Sequence, residues 1–145
     1  MRTFEHTVPI RLHDVDAAGI VFFARYFVLM HDAYELFLES LGYPMGPAIE
    51  RGRYLIPIAE AHCRYHEPTR HGESITARLT IARLGRTSYT LKTPLIGSDG
   101  RPRATITTRH VCVDARTMRP AELPQPLSDA LREYLEPEEE GKAGG

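Results

Sequence analysis

The run Asp14-Val15-Asp16-Ala17-Ala18-Gly19-Ile20-Val21-Phe22-Phe23 gathers residue types with which a small protein can do acyl chemistry. Two carboxylates are followed by small residues, and an apolar helical pattern begins at Phe23. A helix N-terminus carries unpaired N–H groups and a partial positive charge. It can therefore polarise a carbonyl oxygen. Gly19 permits close backbone approach, and Ala17 and Ala18 leave room. A carboxylate opposite the helix end can serve as nucleophile or general base. A thioester suits so small a set of groups. Its thiol has a pKa near that of Cys, about 8.5, and departs as thiolate without a strong general acid. The same residues also fit a plainer role, with Asp14 and Asp16 merely capping the turn.

Other machineries are missing from the sequence. There is no GxSxG elbow, GxxxxGK[ST] loop, GxGxxG turn or HExxH pair. His13, Asp14 and Asp16 have the donor types of a metal site, but consecutive loop residues of this kind more often cap turns. No metal and no cofactor are expected. Cys63 and Cys112 form no CxxC and lie in strand-like runs, where a free Cys behaves as a small apolar residue.

The elements that must hold this segment follow from periodicity. Residues 6–13 alternate apolar Val8, Ile10 and Leu12 with Thr7, Pro9 and Arg11, which predicts a strand. Phe27, Met30, Tyr34, Leu38 and Leu41 fall on one face of a helix expected from about Phe23 to Leu41. Gly42 and Pro44 supply a stop. After a loop rich in Pro, Gly and Arg, strands are expected at about 54–66, 74–84, 88–96 and 103–114. Gly85-Arg86 and Asp99-Gly100 mark hairpin turns. A short helix is expected near Leu127–Leu135. This α+β order places one long helix against an antiparallel sheet of five strands, most simply with the sheet curled around the helix. Such a sheet leaves edges and an incompletely covered face, so a homodimer or homotetramer is expected.

Size and charge bound the rest. The 145 residues make one domain, expected over 1–135, followed by an acidic tail over 136–145 that is expected to be disordered. The formal net charge is −1, yet the tail holds four Glu and one Lys, so the remainder bears a small positive excess. This balance does not suggest nucleic acid as a partner. No apolar run reaches the ~18–20 residues of a membrane span, and the start of the chain lacks a signal-peptide pattern. A cytoplasmic location is expected.

The motif Asp14-x-Asp16-Ala17-Ala18-Gly19-x-Val21-x-Phe23-Ala24-x-Tyr26 resembles the 4-hydroxybenzoyl-CoA thioesterase family of hotdog-fold acyl-CoA thioesterases. Arg64-Tyr65-x-x-Pro68-x-x-x-Gly72-Glu73 resembles that family's second strand and following turn, where Gly-Asp is usual. The similarity extends over about residues 4–135. Within the family, Asp16-Ala17-Ala18-Gly19, Phe23-Ala24 and His31-x-Ala33-Tyr34-Glu35 look most like 1,4-dihydroxy-2-naphthoyl-CoA thioesterases of phylloquinone and menaquinone biosynthesis.

The resemblance implies a hotdog fold and an acyl-CoA substrate. It makes Asp16 the catalytic carboxylate and the backbone N–H of Phe23 the group that polarises the thioester oxygen. Gly19 lines the same turn, and Tyr26 and His31 border the acyl pocket. His31 either hydrogen-bonds a ring hydroxyl or is simply a histidine at the core edge. Arg83, Arg86, Thr87 and Ser88 fall where the family binds the CoA nucleotide, in this chain or in its partner's pocket. The alternatives are 4-hydroxybenzoyl-CoA, a short aliphatic acyl-CoA or acyl carrier protein as substrate, and a non-catalytic acyl-CoA-binding hotdog protein.

Overall fold

The computed structural model describes residues 1–43 and 52–138. The expected loop over residues 44–51 and the end of the acidic tail, residues 139–145, lie outside the described residues. The elements in chain order are β1 (Phe4–Pro9), a 3-10 turn (Leu12–Asp14), α1 (Arg25–Ser40), β2 (Tyr54–Leu55), β3 (Ile58–Tyr65), β4 (Ser74–Leu84), β5 (Ser88–Gly97), β6 (Pro102–Val111), β7 (Val113–Asp114) and α2 (Gln125–Arg132). Five strands form one sheet in the order β1-β4-β5-β6-β3, every neighbouring pair antiparallel. β2 and β7 pair as a separate two-stranded ribbon.

The sheet's inner face is apolar because β4 to β6 alternate. Ile75, Ala77, Leu79, Ile81, Tyr89, Leu91, Leu95, Ala104 and Ile106 are all buried. They pack with Tyr26, Leu29, Met30, Ala33, Tyr34, Phe37 and Leu38 of α1 in one core. This stripe sits slightly to one side of the one read from the sequence. Phe27 and Leu41 are only partly buried, whereas Tyr26, Leu29, Ala33 and Phe37 are in the core.

α1 ends in a Schellman motif. Gly42 has φ +84°, the Tyr43 amide donates to the Leu38 carbonyl at 2.9 Å, and the Gly42 amide donates to Glu39 at 3.0 Å. α2 begins at Gln125, with Pro126 in its first turn.

Several expected boundaries change: the strand expected over 103–114 breaks at Cys112 into β6 and β7, and the helix expected near Leu127–Leu135 spans Gln125–Arg132. The first strand stops at Pro9, because the chain turns tightly at Leu12–Asp14 and the Asp14 carboxylate accepts the Arg11 amide at 2.8 Å. The strand expected over 54–66 divides around Pro57, with its first part pairing to β7 instead of the main sheet. α1 begins at Arg25, leaving Phe23 and Ala24 in the turn before it. The packed chain also reaches past residue 135, since the Glu136 amide donates to Ile81 at 2.8 Å and the Glu136 carboxylate accepts the Thr80 hydroxyl at 2.8 Å.

Candidate active site

The site grows from the end of β1. Asp14 is buried, its side chain only 4% exposed. It accepts the Arg11 amide and, at 2.7 Å, Arg25 Nε from the first turn of α1. Burial pushes the Asp14 carboxyl up, but the Arg11 amide and the Arg25 guanidinium outweigh it and hold the group below the usual carboxylate range. Asp14 therefore ties the turn to the helix, which leaves His13, Asp14 and Asp16 without a free metal-binding carboxylate in the middle.

Asp16 lies two residues further on and is exposed. Its Oδ1 accepts the Ala18 amide at 2.8 Å and the Ile20 amide at 3.4 Å, forming an Asx turn. The Gly19 amide donates to the Asp16 carbonyl at 2.9 Å, and Gly19 takes φ +78° to close the turn. Asp16 Oδ2 has no hydrogen-bond partner among the described residues. One carboxylate oxygen is thus held by the backbone while the other is unpaired among the described residues, an arrangement that orients a base or nucleophile.

A second loop braces this turn. The Val21 amide donates to Thr69 at 2.8 Å, the His71 amide donates to Gly19 at 3.3 Å, and Ile20 bridges to Arg70. The Arg70 amide is capped by Glu73 Oε2 at 2.6 Å, while Glu73 Oε1 accepts Arg103 Nη2 at 3.3 Å. The Arg103 side chain, 4% exposed, also reaches Glu67 and Asp99.

Ahead of α1, the Phe23 and Ala24 amides have no hydrogen-bond acceptor among the described residues. They provide the unpaired donors that the sequence placed at this helix end. The Phe23 carbonyl accepts the Tyr65 hydroxyl at 2.8 Å, which fastens the helix start to the end of β3. Tyr26 is buried and donates its hydroxyl to Thr69 at 3.0 Å, with its ring edge-on to Tyr65 at 5.7 Å. It borders the site through Tyr65. His31 is exposed two turns along α1, on the rim of a groove of about 360 Å³ lined by Phe27, Met30, Ile58, Ala61 and Thr108.

Asp16, Gly19, Phe23, Tyr26 and His31 are therefore gathered at and along the start of α1. Arg83, Arg86, Thr87 and Ser88 are not. β1 and β4 run antiparallel with Pro9 opposite Ser74, so the Asp16 turn follows the Ser74 end of β4. The Arg83–Ser88 turn is at the other end. Eleven residues of strand separate the two by about 30 Å. Arg86 is 84% exposed and paired with Glu122. Sequence reasoning missed Tyr65 and Thr69 as site residues. Their signal lies in the Arg64–Glu73 run, whose spacing marks a strand and turn but not the contacts these two side chains make.

The thioesterase-like superfamily model matches residues 10–131, most of the chain. The chain belongs to that family. Its hotdog-like fold is shared with a 1,4-dihydroxy-2-naphthoyl-CoA thioesterase from Synechocystis, with a TM-score of 0.86 and 26% identity over 90% of this chain and 96% of that one. A gentisyl-coenzyme A thioesterase is similar at a TM-score of 0.78 and 28% identity, over 88% of this chain and 98% of that one. In sequence, a 1,4-dihydroxy-2-naphthoyl-CoA hydrolase of Synechococcus elongatus is 32% identical over 133 residues, 91% of this chain and 97% of the relative. The family resemblance read from the Asp16–Tyr26 motif is thereby borne out.

Proposed function

We propose that this thioesterase-like protein hydrolyses an aromatic acyl-CoA thioester, with 1,4-dihydroxy-2-naphthoyl-CoA as substrate. The observation that carries the reading is that Asp16, with one oxygen unpaired, and the unpaired Phe23 amide stand in two successive turns that lead into α1. The thioester oxygen sits at the Phe23 amide and gains hydrogen bonding as negative charge develops on it. Asp16 attacks the carbonyl carbon or takes a proton from an attacking water. The thiolate of CoA leaves; where Asp16 attacks, water then hydrolyses the acyl–Asp16 anhydride, and where water attacks, the free acid forms directly. The names borne by the similar proteins support this acyl class, and the exposed apolar groove beside His31 suits a ring better than a polar chain.

The CoA-binding role of Arg83, Arg86, Thr87 and Ser88 belongs to the same proposal and requires a second chain, because the two groups are about 30 Å apart in one. β3 is the surface for that second copy. It is an edge strand of eight residues, exposed along nearly its whole length, and its unpaired backbone groups need a partner. A dimer built there, or a tetramer of such dimers, is the assembly we propose.

The test is a free-thiol assay over aromatic and aliphatic acyl-CoAs. The wild type is expected to favour the aromatic esters. Asp16→Asn keeps the Asx turn and the size of the side chain but loses the nucleophile or base, so turnover should fall at least about 100-fold with unchanged melting and ligand binding. An Asp16→Asn protein of normal activity would end the mechanism. Loss of all turnover in Glu35→Gln alone would transfer it to the helix carboxylate.

A further inference from the structure

β6 turns Ala104, Ile106, Thr108 and His110 towards α1. The first two meet the apolar core. The last two lie where α1 leaves the inner face of β3 uncovered, and Thr108 lines the groove beside His31. Behind this apolar opening is an unexpected concentration of polar atoms. His110 is fully buried, stacked on Tyr89 with ring centroids 4.9 Å apart and lying 4.5 Å from Tyr34. The Tyr34 and Tyr89 hydroxyls bond each other. His110 Nε2 and Thr108 Oγ1 are 2.8 Å apart. His110 Nδ1 has no partner among the described residues. Burial, and secondly the nearby His31, push the His110 ring down to about 4, so it is neutral at physiological pH and offers one donor and one acceptor. Leaving a buried polar group unpaired costs stability that an apolar side chain would not. The other ring nitrogen, Nε2, holds the hydroxyl of Thr108, the polar side chain that β6 contributes to the groove wall.

The groove has the direction to bring a ring to that hydroxyl. Phe27 and His31 are spaced by four and lie along one line of α1, and Phe23 precedes them in the turn that leads into it. From Phe27 to His31 the helix advances about 6 Å, and helix side chains lean back towards the N-terminus. An aromatic acyl group with its carbonyl at the Phe23 amide therefore extends past Phe27 towards Thr108 and His31. The 1,4-dihydroxy-2-naphthoyl group carries one hydroxyl beside the thioester carbon and a second, at C4, remote from it.

We propose that Thr108 hydrogen-bonds the remote ring hydroxyl of the acyl group, and that His110 is a positioning residue holding the Thr108 hydroxyl for it. This deepens the function proposed above and rests on it. The Thr108 and His110 pair is then the specificity determinant for a hydroxylated ring, with His31 closing the rim.

The test compares kcat/KM for 1,4-dihydroxy-2-naphthoyl-CoA with that for 1-hydroxy-2-naphthoyl-CoA, which lacks only the remote hydroxyl. The wild type should prefer the first by about tenfold or more. Thr108→Val, nearly the same shape, should bring the ratio close to one, and Thr108→Ser should restore it. His110→Phe, which keeps a ring on Tyr89 but cannot hold Thr108, should lose the preference, while His110→Gln should retain part of it. A wild type without preference, or a Thr108→Val protein that keeps it, overturns the proposal and leaves the thioesterase reading standing. A wild type that hydrolyses neither ester overturns both. Equal ratios in His110→Phe and His110→Gln remove His110 from the account.

Discussion

At Asp14 the carboxylate is sealed between the Arg11 amide and Arg25, whereas at exposed Asp16 one oxygen is bound and the other is unpaired among the described residues. The difference comes from the tight turn at Leu12–Asp14, which brings Arg25 back over the first aspartate. Sequence spacing named both residues and could not separate them, because the separating contact spans eleven positions. His110 was invisible for a similar reason. It is one histidine in a strand of threonines, and only the fold sets it against Tyr34 and Tyr89. Its burial makes a prediction at this scale. The unfolded chain takes up a proton at His110 near pH 6.5, but the folded chain does so only at about pH 4. Above pH 6.5 the ring is neutral in both states. As pH falls from 6.5 to 4 the unfolded state binds more protons, so stability drops, by about 3 kcal/mol in total. The charged and titratable groups around the ring are His31, Tyr34 and Tyr89. Urea midpoints of the wild type should fall more steeply across this window than those of His110→Phe. Parallel slopes would show that the ring titrates freely in the fold.

The elements themselves were largely legible. Alternation located the strands, and the period of 3.6 located α1 and its stop at Gly42. It starts two residues later than the pattern predicts, because Phe22 and Phe23 extend the apolar run while both side chains remain exposed. The divided strand at Pro57 was also missed, since the residues on both sides keep a strand-like composition. β3 is the element with the clearest unfinished business. Its eight residues pair with β6 on one side, and among the described residues no strand covers the other. Ala61→Glu places a charge on the apolar face of this edge strand. In the proposed assembly it should lower the mass seen by sedimentation towards that of one chain, while the circular dichroism of the sheet persists. A wild type that already sediments as a single chain would refute β3 as the contact.

For the whole molecule, the distance between the Asp16 turn and the Arg83–Ser88 turn decides how many chains make one site. Arg86→Ala should raise KM for CoA esters more than for simple thioesters that lack the nucleotide. The decisive measurement mixes two defective chains. If Arg86 serves its partner's pocket, oligomers of Asp16→Asn with Arg86→Ala contain one pocket in which both residues are intact. Such mixtures should regain turnover with a wild-type KM. Turnover with only the raised KM of Arg86→Ala would place both residues in one chain's pocket.

The clamp around Arg103 has a reach of its own. Gly97 is packed so closely against it that an added Cβ would lie under 3.0 Å from three guanidinium atoms. The guanidinium cannot retreat without releasing Glu67, Glu73 and Asp99. Glu73 in turn caps the loop from which Thr69 and His71 hold Val21 and Gly19. A single methyl group at position 97 would thus be transmitted through one cation to the loop that braces the Asp16 turn. The hairpin between β5 and β6 is in effect the adjusting screw of the Asp16 turn.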